Sequence, residues 1–451
     1  MSGGVDAVKM KGGIVPRIEG IIPVTRDATT LSPPERLYVP LIQHIGKATL
    51  PLVEVGEYVQ KGQVIGDVDA LVTAPVHAPV SGRVIAIEER PHPSGSTCDT
   101  VVIENDFAER LHPSIVQGAS KTDELAGSQI HVIARKAGIS GMGGAGFPLH
   151  TKIAGAAGKV KMLLINGCEC EPVESNDDIL MSMFPHRVVE GARLLYRAVG
   201  LHDATICVEE DKGQAIQALT GYIGNADDIR LLVLPTLYPQ GCERMIIKAA
   251  DNYEVPRSCY PIDRGYMVNN VSTVAALYDA CKEGMPLIER FVTVTGSIVQ
   301  TPAVYSVRIG TPFSHLISRC GILTDSVAKI VSGGSMMGIA QFSQEAPVIK
   351  TVTCLLLMSE AEARLDRSTN CIRCGRCTRV CPMRLNPCLL NFYADAKNYE
   401  ELEAQCVDSC VECGSCSYCC PARLPLLQKI KLMKFELTKH RQSIRMRQRG
   451  H

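Results

Sequence analysis

Two cysteine runs share one spacing and constrain this chain more than any other feature. Cys371-x2-Cys374-x2-Cys377-x3-Cys381-Pro382 is repeated as Cys410-x2-Cys413-x2-Cys416-x3-Cys420-Pro421. Each run must curl tightly enough for three thiols to face one point, and the proline ends the turn. Three closely spaced thiolates wrap one face of a cubane iron–sulfur cluster, while the fourth, before proline, crosses to the other cluster. On that logic Cys371, Cys374, Cys377 and Cys420 hold one cluster, and Cys410, Cys413, Cys416 and Cys381 hold the other. Paired Cys-x2-Cys units also serve zinc, so a two-zinc adaptor stands as an alternative. The third cysteine at x2 and the Cys-Pro ending favour two 4Fe-4S clusters in a ferredoxin-like domain, close enough to pass single electrons. Cys388, Cys406 and Cys419 fall outside the spacing and read as core or surface thiols.

Eleven of the 20 cysteines lie between Cys371 and Cys420, a density that points to metal and not to a disulfide framework. The 451-residue chain, 46% apolar and 21% charged, is long enough for several domains with their own cores. Lys+Arg and Asp+Glu both number 47, which removes bulk attraction to nucleic acid as a premise. No apolar run approaches the ~18 residues of a membrane span; the leucine run at 353–358 is far too short. Residues 1–16 show no secretory signal pattern, so the expectation is a soluble, cytoplasmic protein. The end of the chain, 426–451, reads as a basic helix, with Lys429, Lys431, Lys434, Lys439, Arg441, Arg445, Arg447 and Arg449 against Glu436. Such a run is a solvated face, or a dock for an acidic partner or anionic membrane surface.

Glycine and proline punctuation divides the rest. Residues 1–36 form an N-terminal arm. From 37 to 110 short β-rich runs alternate with tight turns, among them Val53-Glu54-Val55-Gly56, 59–66 and 78–84, as in a barrel-sandwich module. From 125 to 285 apolar strands (162–166, 204–208) alternate with helices (131–138, 188–199), which predicts a parallel sheet covered by helices. Residues 286–345 return to short strands with one helix, a small α+β module, and 362–425 holds the cysteine runs. The fold class is therefore multidomain α/β and α+β.

Within the parallel-sheet module, Gly141-Met142-Gly143-Gly144-Ala145-Gly146 lets backbone N–H groups approach a phosphate closely. Asn166-Gly167-Cys168-Glu169-Cys170-Glu171-Pro172 ends a predicted buried strand, where open α/β sheets gather ligands. Val268-Asn269-Asn270 supplies amides suited to a flavin ring or ribityl chain.

These segments resemble the flavin- and NADH-binding fold of the flavoprotein subunit of respiratory complex I. The order of modules resembles the RnfC family of Rnf ion-pumping electron-transport complexes over nearly the whole chain. Matching stretches include Gly12-Gly13-Ile14, Pro40-Leu41-Ile42-Gln43-His44-Ile45-Gly46, Ala74-Pro75-Val76-His77, Tyr238-Pro239-Gln240-Gly241, Arg308-Ile309-Gly310-Thr311-Pro312-Phe313 and Cys371-Ile372-Arg373-Cys374. The resemblance implies a barrel-sandwich hybrid domain, a Rossmann-like FMN/NADH domain, a β-grasp-like SLBB module and the two-cluster domain. It implies hydride transfer from NAD(H) to FMN and single electrons through two 4Fe-4S clusters to partner subunits. By the same resemblance the flavin phosphate loop falls on Gly141, Gly143 and Gly144 with Lys152 as charge partner. Flavin and nicotinamide contacts fall on Asn166, Glu169, Glu171, Asn269 and Asn270, and Glu209 or Glu210 falls near the nucleotide ribose. No catalytic acid or base is implied.

The sequence also departs from the family pattern. Val15 replaces a usual His, Cys168, Cys242 and Cys259 replace small residues, and Val173-Glu174-Ser175-Asn176-Asp177-Asp178 replaces an aromatic-and-threonine run. These changes leave open a soluble paralogue feeding a proline or cobalamin reductase, and a flavin-free relay. They also raise the idea that at least two of Cys168, Cys242 and Cys259 meet near the flavin.

Overall fold

The computed structural model describes residues 10–18, 24, 27–115, 122–324, 327–364 and 367–449. The first nine residues of the expected arm and the last two of the tail lie outside this set.

The first module is a β sandwich. One sheet runs Arg36–Pro40, Thr97–Asn105, Gly82–Pro91, Tyr58–Val59, and the other runs Leu50–Pro51, Val64–Asp67, Val76–His77. Alternation along Arg36–Pro40 sends Leu37 and Val39 inward, where Ile65, Val84 and Ile103 join them in a closed core. The run Val53-Glu54-Val55-Gly56 is a turn and not a strand. Val53 alone anchors in the core while Val55 is exposed, so the apparent alternation marks a turn with one anchor.

The second module is a four-stranded parallel sheet in the order Ile229–Leu234, Ala204–Glu209, Met162–Gly167, Tyr266–Asn270. The first three strands are wound in one direction and the fourth returns to the far side of the first. Strand order therefore reverses between Met162–Gly167 and Tyr266–Asn270, which opens a crevice at their carboxyl ends. Helices Pro185–Ala198 and Val271–Glu283 cross on one face, where Gly191 permits the approach: a Cβ there would lie 2.0 Å from the Val274 carbonyl oxygen.

The third module is a six-stranded mixed sheet with helix Phe313–Cys320 packed into its core. It draws in two strands from outside 286–345. Ala28–Thr30, within the stretch read as an arm, pairs in parallel with Ala303–Arg308, and Cys354–Met358 lies between Glu289–Thr295 and Lys329–Ser332. The Leu355-Leu356-Leu357 run is thus an interior strand of a sheet. Buried Lys350 ties three modules together, its Nζ donating to the Pro75 and Gly138 carbonyls at 2.9 and 2.7 Å.

The cysteine-rich region is helical. Pro387–Asp395, Tyr399–Ala404 and the long Leu426–Arg449 enclose Leu390, Leu402, Val407, Ile430, Met433 and Leu437. The basic helix is therefore part of this core and not a free arm. Several of its cations pair locally: Lys429 with Asp395 at 2.6 Å, and Arg441 with Glu403 and Asp408 at 2.5 and 2.7 Å. Among the described residues no helix is long and apolar enough to cross a membrane.

Candidate functional site

At the switch point of the parallel sheet lies a cleft of about 620 Å³. Asn166 and Asn270 face each other in register at the ends of their strands. Above them runs the glycine loop, fastened where the Met142 N–H donates to Thr273 Oγ1 at 2.9 Å and the Gly141 N–H donates to the Phe147 carbonyl at 2.9 Å. Gly143 passes so close to Asn270 that a Cβ would meet the Asn270 Cβ at 3.0 Å. Gly144, at φ +116°, faces open space in the cleft. Loop, strand ends and the start of helix Val271–Glu283 thus make a cradle of backbone donors suited to a phosphate.

Asn270 organises the cradle floor. Its Oδ1 accepts from the Ser272 N–H at 2.9 Å, capping helix Val271–Glu283, while its Nδ2 donates to Asp177 at 2.5 Å. Asn166 bridges the Cys168 N–H and the Gly241 carbonyl, both at 2.9 Å, which fixes the Cys168–Glu171 loop against Gly241.

Four carboxyl groups line the same cleft: Glu169, Glu171, Glu174 and Asp177. Glu169 accepts the Asp177 and Asp178 N–H groups at 2.9 and 3.0 Å, capping helix Asn176–Met183. Burial, then the Asp177 carboxylate, outweigh those donors and Lys212 and push its pKa up. Glu171 accepts from Ser335 Oγ and the Met336 N–H at 2.9 and 2.6 Å, latching the cleft to the six-stranded module. Glu174 accepts from Thr353 Oγ1 at 2.5 Å and is held well above the usual carboxylate range, by burial first and Glu169 second. Sequence reasoning did not select Glu174 or Asp177 as site residues. The signal available was their place in the run that departs from the family pattern.

Four expected contacts do not reach the cleft: Gly141, whose N–H is taken by the Phe147 carbonyl, Lys152, Asn269 and the Glu209 or Glu210 carboxylate. The Lys152 ammonium donates to the Val268 carbonyl and pairs with Glu243 at 3.5 Å, so it braces the strand and is no phosphate partner here. Asn269 lies on the opposite side of its strand from Asn270, because successive residues alternate faces, and is buried away from the cleft. Glu209 is 1% exposed beneath the Leu237 N–H, and Glu210 accepts from the Thr236 N–H at 3.3 Å. Neither carboxylate lines the cleft.

Burial, then Asp211, raises the Glu209 pKa from the ordinary 4.5 to about 7, with Lys212 opposing. A carboxyl whose folded pKa is raised stabilises the fold fully below its unfolded value and loses that contribution as pH rises through the folded one. Thermal stability is therefore expected to fall between about pH 4.5 and 7. Glu209→Gln keeps the acceptor for Leu237 but does not ionise, so its melting temperature should decline less over that window. A pH series of melting curves checks this; identical slopes for the two proteins would exclude Glu209 as the source.

Twelve of the 20 cysteines fall into three groups. Cys371, Cys374, Cys377 and Cys420 line one cavity, joined by Cys388. Cys381, Cys410, Cys413 and Cys416 line a second, walled by Pro382, Leu385, Leu390 and Ile430. Each cavity is thus lined by one of the crossed quartets expected from the spacing, while among the described residues no group of three or more Cys, His, Asp or Glu side chains is placed to hold a metal ion. The two runs also share a backbone pattern, with positive φ at Arg373 and Glu412, Gly375 and Gly414, and Arg384 and Arg423. Those turns curl each loop around its cavity. The third group, Cys168, Cys170 and Cys242, lines the strand-end cleft. Burial pushes Cys242 up to about 11 and holds Cys168 and Cys170 well above the ordinary thiol value, the opposite of a reactive thiolate. Cys259 does not join them; it sits apart beside Arg264 at 3.0 Å.

The two kinds of site adjoin. Cys413 lines both the strand-end cleft and the second four-thiol cavity, and the Tyr238 hydroxyl donates to its carbonyl at 2.6 Å. Gly12 packs on the far side, where a Cβ would lie 2.8 Å from the Cys381 carbonyl oxygen.

Comparison with known proteins matches three domain families to this architecture: the RnfC barrel sandwich hybrid domain at residues 8–108, the Nuo51 FMN-binding domain at 134–279 and the SLBB domain at 291–340. The chain is 38% identical over 401 residues to a subunit of the Na(+)-translocating ferredoxin:NAD(+) oxidoreductase complex of Acetobacterium woodii, covering 87% of this chain and 89% of that protein. The chain belongs to the RnfC family. A second relative, from the proton-translocating ferredoxin:NAD(+) oxidoreductase complex of Clostridium ljungdahlii, is 37% identical over 82% of this chain and 81% of its own. A third, from the ion-translocating oxidoreductase complex of Pseudomonas aeruginosa, is 40% identical over 94% of this chain but only 56% of its own length, so this RnfC chain spans little more than half of that relative.

Proposed function

We propose that this chain is the NADH-oxidising electron-transfer subunit of an Rnf-type complex, with FMN in the strand-end cleft and a 4Fe-4S cluster in each four-thiol cavity. Bound there, flavin would supply a two-electron acceptor for hydride that can also release single electrons, and iron–sulfur clusters would supply one-electron transfer. The observation that carries this reading is the double position of Cys413, on the wall of the cleft and among the second thiol quartet.

The chain's own residues divide the work. Gly143 and Gly144 keep side chains out of the cradle, and Asn270 caps helix Val271–Glu283 at the cradle floor. Asn166 fixes the Cys168–Glu171 loop, and Glu171 binds the six-stranded module over the opening. Tyr238 fixes the Cys413 backbone, and so the distance between cleft and cavity. The donor sets suit the groups: five thiols line the first cavity and four the second, within largely apolar walls, and a glycine-lined cradle lies at a topological switch point. Partners are the membrane subunits of such a complex, which would place this chain peripherally on the cytoplasmic face. The excess of basic over acidic residues along 426–451 suits docking there on an acidic partner.

Anaerobic purification tests the reading directly. The protein should carry flavin, iron and acid-labile sulfide, and NADH should bleach the flavin band and then the broad cluster absorption. Iron and sulfide without flavin, in protein that NADH leaves unchanged, would support the flavin-free relay instead. Zinc without iron would support the adaptor.

A further inference from the structure

The first thiol cavity holds five cysteines where a cubane cluster takes four. Cys388 lies 3.5 Å from Cys371, sulfur to sulfur, and both line the cavity with Cys374, Cys377 and Cys420. The two neighbours are held very differently. Cys371 is exposed on a segment without regular structure, at the point where the chain enters the region. Cys388 is the second residue of helix Pro387–Asp395, which Asn386 caps by accepting from the Leu389 N–H at 3.2 Å and which Leu390 roots in the core. The cavity thus has one poorly anchored ligand and, within contact distance, a firmly anchored thiol that the spacing of the motif does not use.

We propose that Cys388 is a reserve ligand for the first cluster, taking the coordination position of Cys371 when Cys371 is displaced. This rests on the cluster reading above. In the exchange one sulfur–iron bond breaks and one forms. Cys388 gives up its thiol proton and the released Cys371 thiolate takes one, so neither charge nor electron count changes. The more exposed of the two cavities, with Cys371 and Cys374 both at the surface, thereby keeps four thiolates when its outermost loop opens.

The test uses the full chain, reconstituted anaerobically with iron and sulfide, and reads iron and sulfide content together with the electron paramagnetic resonance of the reduced protein. Cys371→Ala should retain both clusters, with an altered signal from the first. Cys371→Ala/Cys388→Ala should lose that cluster and half the iron, as should Cys374→Ala. Equal iron in the single Cys371 variant and the double variant overturns the proposal. A second measurement leaves every motif cysteine in place. Cys388→Ala alone should carry both clusters but lose the first several-fold faster under a chelator, and an unchanged rate of loss overturns the proposal even where Cys371→Ala does not fold. Wild-type protein that reconstitutes no cluster would instead remove the underlying reading.

Discussion

Cys413→Ala is expected to halve the iron and sulfide content and to cut electron delivery to a one-electron acceptor, while NADH still reduces the bound flavin. Removing a thiol from the Cys381, Cys410, Cys413 and Cys416 quartet takes away a direct ligand. Altering mere outer-shell partners of a metal already costs about 10- to 100-fold in affinity or activity, so the loss in delivery should be at least ~100-fold. Flavin content should change little, because Cys413 contributes to the cleft wall and not to the glycine cradle. Cys374→Ala makes the informative comparison. It also removes one cluster, from the cavity that does not touch the cleft, so electrons can still leave the flavin in that variant but stop one station later. Rapid-mixing spectra separate the two: reduction of the remaining cluster by NADH should persist in Cys374→Ala and be lost in Cys413→Ala. Normal delivery from Cys413→Ala with its iron halved would mean that electrons leave the cleft by another route.

What the sequence makes legible follows from the range of the interactions involved. The thiol quartets are local in spacing, and their crossing needs only that two similar loops face each other, so Cys371 to Cys420 could be partitioned without a structure. The parallel sheet was legible for the same reason. Each buried strand carries its own apolar run, and ligand-bearing loops sit at carboxyl ends by topology. Face, however, depends on counting residues to a strand end that sequence does not mark sharply. Asn269 and Asn270 differ by one position, and only Asn270 turns into the cleft. Lys152 looked like a charge partner because it follows the glycine loop, yet helix Leu149–Ala156 directs it to Val268 and Glu243.

The remaining surprises are non-local. Ala28–Thr30 and Cys354–Met358 complete a sheet whose other strands lie between them in sequence, a pairing that no local pattern announces. Glu174 and Asp177 became visible as cleft residues only once Thr353 and Asn270 were known to reach them. Cys388 illustrates the same limit. Its distance along the chain from Cys371 obeys no motif, and only the start of helix Pro387–Asp395 brings the two sulfurs together.

Gly143→Ala is expected to abolish tight flavin binding while leaving both clusters in place. The added Cβ would meet the Asn270 Cβ, Cγ and Nδ2 at 3.0, 3.2 and 3.3 Å, closer than such atoms ordinarily pack. Asn270 cannot readily yield. Its Oδ1 caps helix Val271–Glu283 and its Nδ2 holds Asp177, which in turn accepts from Ser272 Oγ at 2.6 Å. The glycine loop must therefore move toward the open side, into the volume the cofactor needs. Overpacking of this kind costs about 1–3 kcal/mol. If the cost falls on the bound state, about 2 kcal/mol corresponds to roughly 30-fold weaker binding. Gly144→Ala serves as the contrast, since its Cβ meets nothing within 4 Å and only the backbone strain at φ +116° opposes it. Flavin content after gel filtration, and affinity by quenching of flavin fluorescence, should place Gly143→Ala well below wild type with unchanged iron and sulfide. Full flavin occupancy in Gly143→Ala would show that the cofactor is not cradled between this loop and Asn270, and would move the flavin site elsewhere in the chain.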